Sequence, residues 1–197
     1  MNTIIEQTLV VIKPDALKRG LVGMVIENLE RIGLKLMVAK MVQPKDNVIK
    51  KHYPGTKDWI NEIGKKTLTG FHKNNLDAKK ITGTDDPYQL GQFVYQRLVK
   101  YWQEGPIIVM VWQGPHAITI VRKLRGYTIP SLANPGTILA HHSFDSSVLS
   151  TKLDRAVKTF VHASGSQSEA RREIEYWFGQ TKFKNYQREV DNLYLIK

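Results

Sequence analysis

Apolar residues change their spacing from segment to segment along this chain, and each spacing predicts an element. Leu9-Val10-Val11-Ile12 is apolar without a break, so residues 7–12 read as a buried strand ending at Lys13-Pro14. Pro14 cannot continue a central strand and suits the first turn of a helix. Val22, Val25, Ile26, Leu29 and Ile32 then recur at helical spacing, and Gly33 closes that helix. Residues 34–42 alternate in part and predict a second strand. Pro44 breaks it, and a short helix over 45–52 runs into Tyr53-Pro54. A helix over 92–103 stops at Gly105-Pro106. Residues 107–112 are apolar throughout and read as a buried strand. A helix is predicted over 116–124, an irregular loop over 126–147, and a short helix over 153–157. Phe160-Val161 predicts a strand that delivers His162, and a helix follows over 167–178. Residues 54–91 mix Trp59, Ile60, Ile63, Leu68 and Phe71 with loop signals such as Gly83-Thr84-Asp85-Asp86-Pro87 and receive no element order.

This order predicts an α+β fold, close to the ferredoxin-like β-α-β-β-α-β core with an antiparallel sheet and extra helices. At 197 residues the chain is read as one domain, with 42% hydrophobic residues to fill its core. No segment has the length and apolarity of a membrane span. The first six residues lack the basic-then-apolar order of a secretory leader. The absence of cysteine excludes disulfides and thiolate chemistry and fits a reducing compartment, so a cytoplasmic protein is expected. The formal net charge is +11, split as +4 over residues 1–53, +1 over 54–93 and +6 over 94–197. No basic tail carries it. An electropositive cleft for a phosphorylated small molecule fits this distribution, with nucleic acid as a secondary partner.

The candidate chemistry centres on His162. It is followed by the small residues Ala163, Ser164 and Gly165, which leave space beside the ring, and by a helix that contains Glu173. A neutral imidazole can attack phosphorus, and a carboxylate on its other nitrogen fixes the tautomer and stabilises the developing charge. Lys13, at the exit of an apolar strand, places a cation at the mouth of the sheet. Arg122 and Arg125 end a helix and can fork phosphate oxygens, while Thr128 and Tyr53 add hydroxyls. A histidine nucleophile beside a lysine points to chemistry on phosphate. The pair His141-His142 lacks a carboxylate or cysteine at ligand spacing and is read as a loop pair without metal. Gly20, Gly23 and Gly33 form no phosphate loop.

Taken together, these residues resemble the nucleoside diphosphate kinase family. The matching runs are Thr8 to Ala16, Arg19-Gly20-Leu21-Val22-Gly23, His52-Tyr53, Leu98-Val99-Lys100-Tyr101, Gly105-Pro106, Met110-Val111-Trp112, Gly126-Tyr127-Thr128-Ile129-Pro130, Pro135-Gly136-Thr137-Ile138, and His162-Ala163-Ser164 through Glu173. They occur in the family's order from the N-terminus to Trp177-Phe178. The resemblance implies a ferredoxin-like core assembled into dimers and then tetramers or hexamers. It implies transfer of the γ-phosphate from a nucleoside triphosphate to a diphosphate, with Mg²⁺ carried by the phosphates rather than by a protein cage. By position, His162 is similar to the phosphorylated nucleophile and Glu173 to its orienting carboxylate. Lys13 would contact phosphate and sugar, Tyr53 would lie beside the histidine, and Arg122 and Thr128 would hold phosphate oxygens. Counting places the base-stacking position at Val94, and its aromatic neighbour Tyr95 is the expected platform.

Three departures stand against the resemblance. Leu139 occupies the position where the family has a phosphate-binding arginine. Thr159 replaces an asparagine as a shorter donor. The chain also carries insertions at about 54–91 and about 144–158, as counted against typical loop lengths. The departures read either as tolerated variation or as a compensated loss, in which Arg125, Lys123 or a basic residue of the second insertion, such as Arg155, supplies the charge missing at Leu139. A second reading, a catalytically weak nucleotide- or nucleic-acid-binding protein on the same fold, is motivated by Leu139, Thr159 and the basic charge.

Overall fold

The unbroken apolar run at residues 9–12 marks a strand that meets protein on both faces. The computed structural model describes residues 4–184 and 186–194. Four strands, β1 (Ile5–Ile12), β2 (Lys35–Val42), β3 (Ile107–Pro115) and β4 (Val161–Ala163), form one antiparallel sheet in the order β2-β3-β1-β4. That order is the ferredoxin-like arrangement.

Strand side chains alternate between faces, so β1 feeds two cores at once. Val10 and Ile12 join Met110 and Trp112 beneath α2 (Val22–Arg31) and α7 (Ala117–Arg125). Leu9 and Val11 join Val109 and Val111 on the other face, with Ile49, Trp102 and Trp177. These last three come from α3 (Asp46–His52), α6 (Pro87–Trp102) and α10 (Gln167–Phe178). Only a strand covered on both sides reads as continuously apolar, which is why β1 and β3 stand out in the sequence. β2 is an edge strand with a bulge between Leu36 and Val38, and Met41 on it is exposed.

Several boundaries differ from the sequence expectation, each for a local reason. Pro14 does open a helix as expected, the short α1 (Pro14–Lys18). Residues 54–91, left without an order, contain the 17-residue α4 (Lys57–Lys73) and the short α5 (Ala78–Thr82). α6 begins five residues before the expected start. The Asp86 side chain accepts from Gln89 N, and Pro87 occupies the first turn, so the run read as a loop signal is a helix cap. The loop expected over 126–147 holds a 3₁₀ turn at Pro130–Leu132 and α8 (Ile138–His142), which makes His141-His142 helical rather than a loop pair. The helix expected over 153–157 lies earlier, as α9 (Ser147–Lys152), capped by Ser146; Asp154, with φ of +48°, turns the chain out of it. A last helix, α11 (Glu189–Tyr194), occupies the tail read as less regular.

α4 lies along α6, and two glycines allow it. A Cβ on Gly64 would stand 1.7 Å from the Pro87 carbonyl oxygen, and one on Gly91 would stand 2.0 Å from that of Ile60. The backbones touch where side chains would normally separate them. Gly64→Ala or Gly91→Ala is therefore expected to destabilise the protein by about 1–3 kcal/mol or more, since overpacking forces backbone shifts. Urea unfolding of each variant measures it, and a midpoint equal to the parent's would contradict the contact.

Candidate active site

The alternation that builds the cores also builds the site. In the β1–β4 ladder Val11 stands opposite His162, so His162 shares the face of Leu9 and Val11, while Val161 and Ala163 turn to the other core. Lys13, two residues past Val11, continues on the same face, and its N–H donates to Phe160 O at 2.8 Å. A three-residue strand and the end of its neighbour thus bring together a histidine and a lysine 149 positions apart in the chain.

His162 is 8% exposed. Its Nε2 lies 3.0 and 3.1 Å from the two carboxylate oxygens of Glu173, one helical element away on α10. Glu173 is fully buried and also accepts from Ser164 Oγ at 2.6 Å. An ionised carboxylate only accepts, so Nε2 carries the proton and Nδ1 keeps its lone pair. No protein group holds Nδ1 among the described residues, and the ring lines a cavity.

His52 completes the arrangement, and sequence reasoning gave it no role. Its Nδ1 accepts from Trp177 Nε1 at 3.1 Å, and indole nitrogen can only donate. The His52 proton therefore sits on Nε2, which faces Glu173 Oε1 at 3.6 Å. Burial first, and then the neighbouring His162, hold the His52 pKa well below its ordinary value, so it stays neutral. Burial raises the Glu173 pKa, opposed by His52, Ser164 and Arg172. Burial likewise lowers the His162 pKa, with Lys13 adding to the effect. A neutral, nucleophilic ring follows.

Lys13 is 4% exposed and donates to Thr159 Oγ1 at 2.5 Å. Burial, then the charge of Arg125, brings its pKa down from 10.5 to about 7. Thr159 is presented by an unusual backbone. Phe160 has φ of +27°, a region that side chains rarely occupy, yet its ring is fully buried. Tyr101 Oη accepts from Phe160 N at 3.1 Å, and Lys13 N takes its carbonyl, so the turn is held from both sides.

The cavity brings together Lys13, Tyr53, Arg122, Thr128, Thr159 and His162. These six include every expected site residue except Glu173, which stands behind the ring, and Tyr95. Tyr95 does not line the cavity; its hydroxyl reaches Lys50 O at 3.4 Å instead. Val94 and Leu98 of α6 line it, as do Trp59, Ile63, Lys66 and Thr67 of α4. Trp59 stacks on Tyr53 with ring centroids 5.2 Å apart. The segment that resisted ordering is thus a wall of the site. Its signal was the cluster of Trp59, Ile60 and Ile63, but their partners lie on other elements.

Among the described residues, His52, His162 and Glu173 are the group whose ligand atoms could share a metal ion. Two imidazoles with one carboxylate do not suit Mg²⁺, which takes oxygen ligands in octahedral geometry.

Comparison with known proteins gives a consistent result. The family model described as nucleoside diphosphate kinase matches residues 6–61 and 85–183. The nucleoside diphosphate kinase of Pyrobaculum aerophilum is 45% identical over 174 residues, covering 88% of this chain and 95% of the relative. The crystal structure of an NDP kinase from the same organism superposes with a TM-score of 0.82 at 43% identity, covering 89% of this chain and 97% of the other. A nucleoside-diphosphate kinase from Borrelia burgdorferi, solved as a transition-state mimic with vanadate and ADP, superposes with a TM-score of 0.78 at 30% identity, covering 98% and 99%.

Proposed function

Since the chain belongs to the nucleoside diphosphate kinase family, a family of phosphotransferases, we propose that its reaction runs through a phosphohistidine on Nδ1 of His162. The observation that carries this reading is the division of labour on one ring: Glu173 takes Nε2, and Nδ1 is left toward a cavity that Lys13, Arg122 and Thr128 also line.

In the first half-reaction the Nδ1 lone pair attacks the γ-phosphorus of a nucleoside triphosphate. The N–P bond forms, the bond to the β–γ bridging oxygen breaks, and the diphosphate leaves with that electron pair. In the second, a terminal oxygen of another diphosphate attacks the phosphorus and the N–P bond breaks. The proton on Nε2 stays in place throughout, and Glu173 stabilises the positive charge that the ring carries between the steps. Lys13 and Arg122 neutralise charge on the transferring oxygens, and Thr128 and Thr159 orient them. Mg²⁺ enters on the nucleotide phosphates as part of the substrate.

The apolar end of the cavity, formed by Trp59, Ile63, Val94 and Leu98, takes the base. Stacking on aromatic rings tolerates every base, and it is worth ~1–3 kcal/mol per base. Trp59→Ala is expected to raise KM about tenfold for adenine and guanine nucleotides alike, with kcat less affected. An unchanged KM for both would move the base elsewhere.

None of the described helices is long and apolar enough to cross a membrane. We carry over from the sequence the reading of a cytoplasmic homo-oligomer built from dimers, which sedimentation of the purified chain tests. The activity itself is tested by incubating the protein with γ-labelled ATP and GDP. Labelled GTP and an acid-labile labelled protein are expected. Label in neither would overturn the assignment.

A further inference from the structure

A charge is missing at Leu139, where the family resemblance calls for a phosphate-binding arginine. Leu139 is fully buried in the core under α2 and α7 and does not line the cavity. Three basic residues compete to replace it, and their surroundings separate them. Lys123 is exposed on α7 and does not line the cavity. Arg155 lines it, but its guanidinium already forks Asp145 at 2.5 and 3.0 Å, and that carboxylate is buried. Its charge is neutralised within the protein.

Arg125 is different. It is 4% exposed and lines the cavity with His162 and Lys13. Its side chain donates to two neutral acceptors, Thr128 Oγ1 at 2.9 Å and the Gly126 carbonyl at 3.3 Å. No carboxylate stands within ion-pair distance of it among the described residues. Glu169, which lines the same cavity, accepts from Gly165 N at 2.8 Å instead. A guanidinium offers five N–H donors, and these contacts leave one terminal nitrogen without a protein acceptor. A buried charge with no counter-charge is unfavourable until an anion arrives. Its influence on the site is already visible, since its charge helps to lower the pKa values of Lys13 and His162. Its position is also fixed: Gly126 turns at φ of +90°, and a Cβ there would meet Thr137 Oγ1 at 2.4 Å.

We propose that Arg125 replaces the missing arginine: its guanidinium binds the phosphate chain of the nucleotide beside His162, and Leu139 fills the space the other arginine would have left. The charge is kept while the position that supplies it has moved from the start of α8 to the end of α7. This rests on His162 being the phosphorylated residue, and the test separates the two claims.

The test uses the full chain and measures the single-turnover rate of His162 phosphorylation by Mg·ATP, together with ADP affinity by calorimetry. Arg125→Leu is expected to slow phosphorylation by about 10²–10³-fold, as loss of one preorganised donor does, and to weaken ADP binding. Free guanidinium at non-denaturing concentration is expected to restore part of the rate in Arg125→Leu and none in the parent, which a merely structural role would not produce. Arg125→Lys keeps the charge without the fork and is expected to fall about tenfold. Should Arg125→Leu not fold, Arg125→Lys decides, and a parental rate in it overturns the proposal. So does a parental rate in folded Arg125→Leu. If the parent itself never labels on histidine, the failure belongs to the His162 assignment instead.

Discussion

Replacing His162 with alanine is expected to abolish labelling by γ-labelled ATP and to lower nucleotide exchange by at least about four orders of magnitude, as removal of a nucleophile does elsewhere. The size of the effect follows from the surroundings. Of the hydroxyls lining the cavity, Thr128 Oγ1 accepts from Arg125 and Thr159 Oγ1 accepts from Lys13, so both hydroxyl oxygens are engaged by basic side chains. Ser164, the hydroxyl nearest the carboxylate, is tied to Glu173 and to the β1 backbone at Leu9 and lies outside the cavity. The alanine variant is expected to fold, because His162 sits on an edge strand and its loss leaves Glu173 still bonded to Ser164 and facing His52. A folded His162→Ala protein that still labels would remove the phosphohistidine from the mechanism.

The second large effect belongs to Lys13. Lys13→Met is expected to lower kcat/KM by about 10²–10³-fold, because it removes a preorganised cation that is almost fully buried beside His162. Its pKa of about 7 adds a pH signature. Free enzyme holds the lysine charged below that value and releases the proton above it. Binding of nucleotide phosphates favours the charged form, so kcat/KM is expected to fall as pH rises from 7 toward 9, approaching tenfold per pH unit. The limb should lie at higher pH in kcat, where bound phosphate raises the lysine pKa, and should vanish in Lys13→Met. The sign for stability is the reverse. Between pH 7 and 10.5 the unfolded chain keeps a proton that the folded chain has released. Stability contributed at this residue therefore rises with pH across that window and is lowest below it. A parent profile flat from pH 6 to 9 would contradict a lysine perturbed in this way.

Much of this was legible because particular residues obey two rules at once. β1 and β3 were readable because burial on both faces leaves no polar interruption. His162 and Glu173 were readable because a strand end and the next helix lie 11 positions apart, close enough for one loop to join them. Lys13 was readable because a cation ends an apolar strand. The residues that escaped depend on contacts between distant elements. Trp59 reached the site because α4 lies on α6, and that depends on two backbone approaches with no sequence period. Tyr95 lies outside the cavity lining because the aromatic wall comes from a neighbouring helix rather than from α6. Phe160 read as ordinary strand, and its positive φ is imposed by Tyr101 and Lys13 from outside. His52 looked like the end of a short helix until Trp177, 125 positions on, fixed its tautomer.

α4 has left a footprint on the helix it lies along. Gly64 falls in residues 62–84, the stretch without a family match, whereas Gly91 falls in the part that matches. An otherwise ordinary helical position has thus surrendered its side chain to a segment lying across it. The carbonyl that crowds Gly91 belongs to Ile60, which also falls in the part that matches, so a relative whose backbone runs as close there has no room for a larger residue at the position of Gly91. Bareness at that single spot should therefore travel with the close approach of the two helices from chain to chain.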